Sequence, residues 1–277
     1  MILLDGKKLS QHILDELKQE VAGMNTKLRL AVVVVGKDPV VARYVAQKRK
    51  AAKVIGVDFH IYPFEESVSA RELRRRLAEI VHEKKNTGVI IQLPLPAHIG
   101  RQHMLNGIIP QKDVDVLSAR AIGGVVVGKH PVQSPVVGAI QAFFDGYKID
   151  YAGKRIVVLG AGALVGKPVC LWFLGQKIGY TLISTAHTPH AADILLDADI
   201  IISGIGKPKF ITGDKVKEGV VIIDAGTSES EGKLAGDADI DSLALKCSFI
   251  TPVPGGVGPM TVAMLFKNLV TLAKLQK

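Results

Sequence analysis

Short β-branched runs alternate with longer amphipathic stretches along almost the whole chain, and this pattern limits the fold more than any other feature. A strand covered by helices on both faces needs a near-continuous apolar run, so such alternation spells βαβ units and a mainly parallel sheet. Strands are expected at Leu28 to Val35, Phe59 to Phe64 and Gly88 to Gln92, and again at Arg155 to Leu159, Tyr180 to Ser184, Asp199 to Ser203 and Val220 to Asp224. Leu9, Ile13, Leu17 and Val21 recur every four residues and predict a first helix. Asp38-Pro39 opens a second, with Asp38 as cap and a proline where no amide is needed, ending near Gly56. Ser69 and Glu72 have capping-box spacing ahead of Leu73, Leu77 and Ile80. A second unit begins at Ser134-Pro135, and an apolar helix from Met260 to about Lys274 closes the chain.

At 277 residues there is room for two domains, each with its own core. Runs such as Val32 to Val35 and Ile200 to Ile202 are too short to cross a bilayer, and the first residues lack the basic flank of a signal peptide. Cys170 and Cys247 stand far apart in apolar surroundings, as reduced core thiols in the cytoplasm would. The net charge of +9 suits nucleic acid in principle. The basic residues are scattered, however, and aromatics amount to 5%, with no stacking platform. A small polyanionic partner explains the charge at least as well, most individual lysines read as a solvated surface, and neither nucleic acid nor membrane is expected as a partner.

The strand Ile156 to Leu159 runs into Gly160-Ala161-Gly162-Ala163-Leu164-Val165-Gly166 and then a helix. Glycines there permit a tight turn and let a pyrophosphate rest on the helix N-terminus. After the next strand, a carboxylate would bind the ribose hydroxyls of NAD and repel a 2′-phosphate. None is present in Ser184-Thr185-Ala186-His187-Thr188, and His187, Thr188 and His190 offer donors to a phosphate, so NADP is favoured with NAD still possible. His187 and His190 lack the further ligands a metal needs, and no metal is expected.

In the first unit, Tyr44 and Lys48 are four apart and share a helix face, pairing a flat ring with a proton-transfer group. Arg43, Arg49, Lys50 and Lys53 surround Lys48, and like charges would lower its pKa toward an acid–base role. Gln92-Leu93-Pro94-Leu95-Pro96 follows a strand end, where Gln92 is in reach of Lys48 or a substrate carbonyl. Asp113 and Asp115 are candidates either to pair with an amino-heterocycle or to shape a turn. The run Pro252 to Pro259, with Pro254, Gly255 and Gly256 at its centre, lets backbone approach a ligand closely. Leu93-Pro94 and Val253-Pro254 are candidates for cis geometry.

Taken together, Asp5-Gly6-Lys7, Tyr44-x-x-x-Lys48, Gln92 to Pro96, Lys112 to Asp115 and Pro252 to Thr261 make the chain resemble the bifunctional methylenetetrahydrofolate dehydrogenase/methenyltetrahydrofolate cyclohydrolase family over nearly its full length. The resemblance implies two α/β domains. A catalytic folate-binding domain spans residues 1–134 and is completed by 257–277, and a Rossmann-like parallel-sheet NAD(P)-binding domain spans 135–256, with a folate cleft where they meet. It also implies a cytoplasmic homodimer that oxidises 5,10-methylenetetrahydrofolate and hydrolyses the methenyl product. Lys48 would transfer protons, Gln92 activate it, Tyr44 stack on the pterin and Asp115 anchor it. Pro254, Gly255 and Gly256 would border the substrate, and Gly160, Ala161, Gly162, Val165, Gly166, His187, Thr188 and Thr227 would hold the dinucleotide.

Three places along the chain depart from the family pattern. Ala161 replaces an arginine that would clamp a 2′-phosphate, Val116-Leu117-Ser118 replaces a glycine and polar residues, and Gln133 replaces a cysteine. A single-activity folate dehydrogenase, a different nicotinamide-dependent oxidoreductase and a non-catalytic dinucleotide-binding module are the competing readings.

Overall fold

The computed structural model describes residues 1–183, 188, 191–230 and 233–276. Through the first half of the chain run β1 (Ile2–Leu3), α1 (Gly6–Ala22), β2 (Arg29–Val35), α2 (Pro39–Ile55), β3 (Asp58–Phe64), α3 (Ala70–His82), β4 (Gly88–Ile91), α4 (Arg101–Leu105) and α5 (Ala119–Val126). The second half carries α6 (Pro135–Gly146), β5 (Ile156–Leu159), α7 (Gly166–Gln176), β6 (Tyr180–Ile183), α8 (Ala191–Leu196), β7 (Ile200–Ser203) and β8 (Val220–Asp224). It ends with β9 (Ser228–Ser230), β10 (Lys233–Ala235), α9 (Ile240–Leu243), β11 (Cys247–Ile250) and α10 (Val257–Leu275). Among the described residues no helix is long and apolar enough to cross a membrane.

The chain divides into two compact units, Gln11–Pro135 with Val262–Lys277, and Met1–Ser10 with Val136–Thr261. This partition differs from the expected 1–134 and 135–256 boundaries at the start of the chain. Ile2 and Leu3 pair in parallel with Phe249 and Ile250, and Leu4 N donates to Ile250 O at 2.8 Å, so the first ten residues fold with the later unit. The division at the other end falls inside α10, whose residues from Val262 onward pack with the earlier unit.

The smaller sheet, in the earlier unit, has the order β3-β2-β4 and is parallel throughout. Its central strand explains the unbroken apolar run. Leu30 and Val32 face one cluster with Val41, Val45, Ile55, Phe266 and Leu269, while Ala31, Val33 and Val35 face another with Leu73, Leu77 and Ile80. Both faces are covered, so no position of that strand calls for alternation with polar residues. α2 starts as expected, with the Asp38 side chain accepting from Val40 N and Val41 N, and it stops at Gly56, where φ is 78°. Ser69 Oγ accepts from Glu72 N as a cap, but the Glu72 carboxylate bonds Arg75 and not the cap's own amide. Only half of the expected capping box is therefore made.

The six-stranded sheet of the later unit has the order β1-β11-β8-β7-β5-β6, all parallel. β5 lies between β6 and β7, so the chain leaves it first to one side and then to the other. Its carboxyl end is a topological switch point, the place where open α/β sheets bind ligands. β2 holds the same position in the smaller sheet. The strands β1 and β11, the β9–β10 hairpin and α5 carry no signal in the sequence that announces them.

Candidate active site

In the earlier unit, α2 and the end of β4 bring two of the expected residues together. Gln92 directly follows β4, and its own amide continues the ladder by donating to Val33 O at 2.9 Å. The side chain is buried, its Nε2 donates to Leu93 O at 3.0 Å, and this leaves Oε1 facing Lys48. Lys48 Nζ donates to Gln92 Oε1 at 2.8 Å. A glutamine amide tied on its nitrogen side can present only its oxygen, so the lysine meets a fixed acceptor. Tyr44 sits one turn earlier on α2 and is half-buried.

Burial holds the Lys48 ammonium below the ordinary lysine value, and the Asp115 carboxylate opposes that shift. The expected cause, repulsion from Arg43, Arg49, Lys50 and Lys53, is replaced by desolvation. Arg49 instead lies over the Phe59 ring, 5.8 Å from its centroid. Asp115 is pushed above the ordinary carboxyl range chiefly by its own burial, with Lys48 pulling it down and Asp113 pushing it up.

Of the two acids on the loop after Pro110, Asp113 takes one of the roles considered for them. Asp113 is buried and accepts from the amides of Leu117 and Ser118, which makes it the turn former. Lys112 Nζ pins the same loop to Val81 O and Glu83 O at 2.8 and 3.0 Å. Asp115 is thereby left beside Lys48. Val116, at one of the departures from the family pattern, has φ 57°, a left-handed conformation that is strained for a β-branched side chain. Gln133, at another, has a buried Oε1 with no hydrogen-bond partner among the described residues. Its main-chain oxygen accepts from Asn268 Nδ2, which also donates to Val114 O, so α10 braces the Asp115 loop. Sequence reasoning missed Asn268, although a lone amide within an apolar helix face was the available signal.

Both candidate prolyl bonds are cis, Leu93-Pro94 in the earlier unit and Val253-Pro254 in the later one. Beside the second, Gly255 has φ 113°, and a Cβ on Gly256 would stand 2.6 Å from Pro252 O. A Cβ on Gly6 would lie 1.9 Å from Gly256 O, which gives the Asp5-Gly6-Lys7 segment its reason: only glycine lets α1 begin against that loop.

The glycine loop fits a dinucleotide. Gly160 has φ 105°, and a Cβ on Gly166 would stand 1.7 Å from Gly160 O, so the first and last glycines are required by the turn and by close packing of α7 on the sheet. Gly162 has open space around it, and Ala161 and Gly162 are exposed. α7 starts at Val165 and Gly166 with no side-chain cap. Lys167 N donates to Gly162 O at 3.0 Å and Pro168 has no amide hydrogen, so Gly166 N is the first-turn donor left for a phosphate. Thr227 is exposed after β8, and Thr188 is half-buried. His187 and His190 lie outside the described residues.

A parallel sheet with this loop at its switch point defines the later unit as a Rossmann-like NAD(P)-binding domain in a two-domain α/β protein. The family description "Tetrahydrofolate dehydrogenase/cyclohydrolase, catalytic domain" matches residues 4–115, and its companion "NAD(P)-binding domain" matches 135–277. The chain belongs to the tetrahydrofolate dehydrogenase/cyclohydrolase family. A bifunctional protein FolD of Nautilia profundicola is 42% identical over 99% of this chain and 98% of its own length. The crystal structure of the Campylobacter jejuni bifunctional methylenetetrahydrofolate dehydrogenase/cyclohydrolase has a TM-score of 0.95 at 35% identity and covers all of both chains. The Trypanosoma brucei enzyme, solved with NADP and an inhibitor, has a TM-score of 0.93 at 31% identity and covers 99% of this chain and 98% of its own.

Proposed function

We propose that this chain oxidises 5,10-methylenetetrahydrofolate to the methenyl form and hydrolyses that product to 10-formyltetrahydrofolate. The observation that supports this reading best is the Lys48 Nζ–Gln92 Oε1 hydrogen bond beside Asp115. A nicotinamide dinucleotide, when bound, supplies the hydride acceptor; the chain's own contribution to that step is orientation. Hydrolysis asks more of the side chains. Water adds to the methenyl carbon, a proton leaves the adding water, and a folate nitrogen takes one as the ring opens. A desolvated lysine gives up a proton more readily than one in water, and Gln92 holds Nζ in place while it does so. Tyr44 offers the pterin a ring face, and Asp115 offers its amino-heterocycle an acceptor.

Lys48→Met tests the assignment. Methenyl hydrolysis should fall by about 100-fold or more, the usual share of a proton-transfer group, while part of the hydride transfer survives. Equal retention of the two activities would remove Lys48 from the reaction.

NADP is the preferred dinucleotide in this reading, because no acidic residue stands between Ile183 and His190 to repel a 2′-phosphate. Ala161 is exposed at the loop, so Ala161→Arg should raise the ratio of kcat/KM for NADP over NAD by about tenfold through a charge-assisted contact. An unchanged ratio would show that the loop does not select the cofactor. Kinship with the family also supports a cytoplasmic homodimer; sedimentation of the purified chain checks the assembly.

A further inference from the structure

At the carboxyl edge of the six-stranded sheet, the later unit buries two acids that the proposed chemistry does not use. Asp224 is 1% exposed and Asp237 is fully buried. Asp237 Oδ2 accepts from Ser203 Oγ at 2.7 Å and Ile205 N at 2.9 Å, and Oδ1 accepts from Lys207 N at 2.8 Å. One carboxyl group therefore fastens three points of the segment leaving β7. Asp224 ends β8, where its two oxygens accept from Gly226 N and Ala238 N, each at 2.8 Å. Two glycines make room for the pair. A Cβ on Gly226 would stand 2.3 Å from Asp237 Cγ, and one on Gly236 would stand 2.2 Å from Asp224 Oδ2.

The segment so fastened is the wall behind the glycine loop. Gly204 N donates to Leu159 O at 3.0 Å, and a Cβ on Gly204 would come within 2.6 Å of Val165 Cβ. The Cβ position of Gly160 is 3.0 Å from both Gly204 O and Ile205 Cγ2. The loop therefore has no slack on that side, and a shift of residues 204 and 205 must move Gly160 or Val165.

We propose that Asp237 is a positioning residue for the dinucleotide: by clamping Ser203, Ile205 and Lys207, it sets the wall that holds the 160–166 loop in its binding shape. The proposal rests on the reading of that loop as the NAD(P) site. A buried acceptor that meets three fixed donors admits one arrangement of the segment, whereas an amide in its place points a donor at a donor.

The test is calorimetric titration of NADP and NAD into the full-length chain and into Asp237→Asn and Ser203→Ala, with methenyl hydrolysis followed in parallel. Asp237→Asn should weaken both dinucleotides about tenfold or more, the scale of a misplaced binding element. Ser203→Ala removes one donor of three and should weaken them about threefold, the size of a single hydrogen bond. Hydrolysis, which needs no dinucleotide, should keep its kcat/KM in each. Unchanged dinucleotide Kd overturns the proposal, and Ser203→Ala alone decides the matter if Asp237→Asn does not fold. Loss of hydrolysis in step with binding also overturns it, because the pair would then serve the fold at large. An unsubstituted chain that binds neither dinucleotide would defeat the functional reading beneath it, before any variant is made.

Discussion

Lys48 is subject to two opposed influences, and their signs lead to an experiment. Burial favours the neutral amine, while Asp115 favours the ammonium. The limb of the pH–kcat profile for methenyl hydrolysis that Lys48 sets should fall below the ordinary lysine value. Asp115→Asn takes away the opposing charge and should move that limb to still lower pH; movement upward, or none, would show that Asp115 does not act on Lys48. The pairing of Tyr44 with Lys48 was legible in the sequence, because a spacing of four is a local property of any helix. The hydrogen bond to Gln92 spans 44 residues, and the cause of the lysine's shift depends on what covers it. Neighbouring basic residues in the sequence pointed to repulsion, yet a helix turns most of those neighbours toward solvent.

The capped starts of α2 and α3 and the central strands could be read with little error, since each has a local chemical requirement, whereas α10 begins at Val257, three residues before the expected Met260. Asp38 illustrates the strength of such a signal. Its side chain accepts from Val40 N at 2.6 Å and Val41 N at 3.3 Å, so Asp38→Ala should cost about 1 kcal/mol. Thermal unfolding should then fall by about 2–4 °C, and a Tm equal to the wild type would mean that Pro39 alone sets the start of α2. The missed elements lacked local signals. β1 is two residues long and β11 is Cys247-Ser248-Phe249-Ile250, without a β-branched run. α5 carries Gly123-Gly124 in its interior, which intrinsic preference disfavours by about 1 kcal/mol per glycine. These segments take their form from the strand or loop they pack against.

Across the molecule, the buried acids add a pH dependence to the later unit. Burial, and then Asp237, raise the Asp224 pKa to about 6. The folded chain thus keeps a proton that the unfolded chain loses near pH 4, and stability is lost as pH rises from about 4 to about 6, by at most about 3 kcal/mol. Trp172, the one tryptophan of the chain, is buried in that unit and reports its unfolding. Denaturation followed by its fluorescence should show a decline over that range which Asp224→Asn lessens; equal pH slopes would mean that Asp224 titrates alike in both states.

By itself the sequence determined the α/β class, the glycine loop between strand and helix, the capped start of α2 and the Tyr44–Lys48 face. Each of these follows from spacing within a few residues, where backbone geometry fixes which side chains are neighbours. Only the tertiary structure decided that Gln92 meets Lys48, that Asp113 shapes a turn while Asp115 faces the lysine, that the first ten residues join the later unit, and that Asp224 and Asp237 share a buried corner. Those contacts close long stretches of chain, and whether they form depends on how sheets and helices pack, which no local pattern of residues encodes.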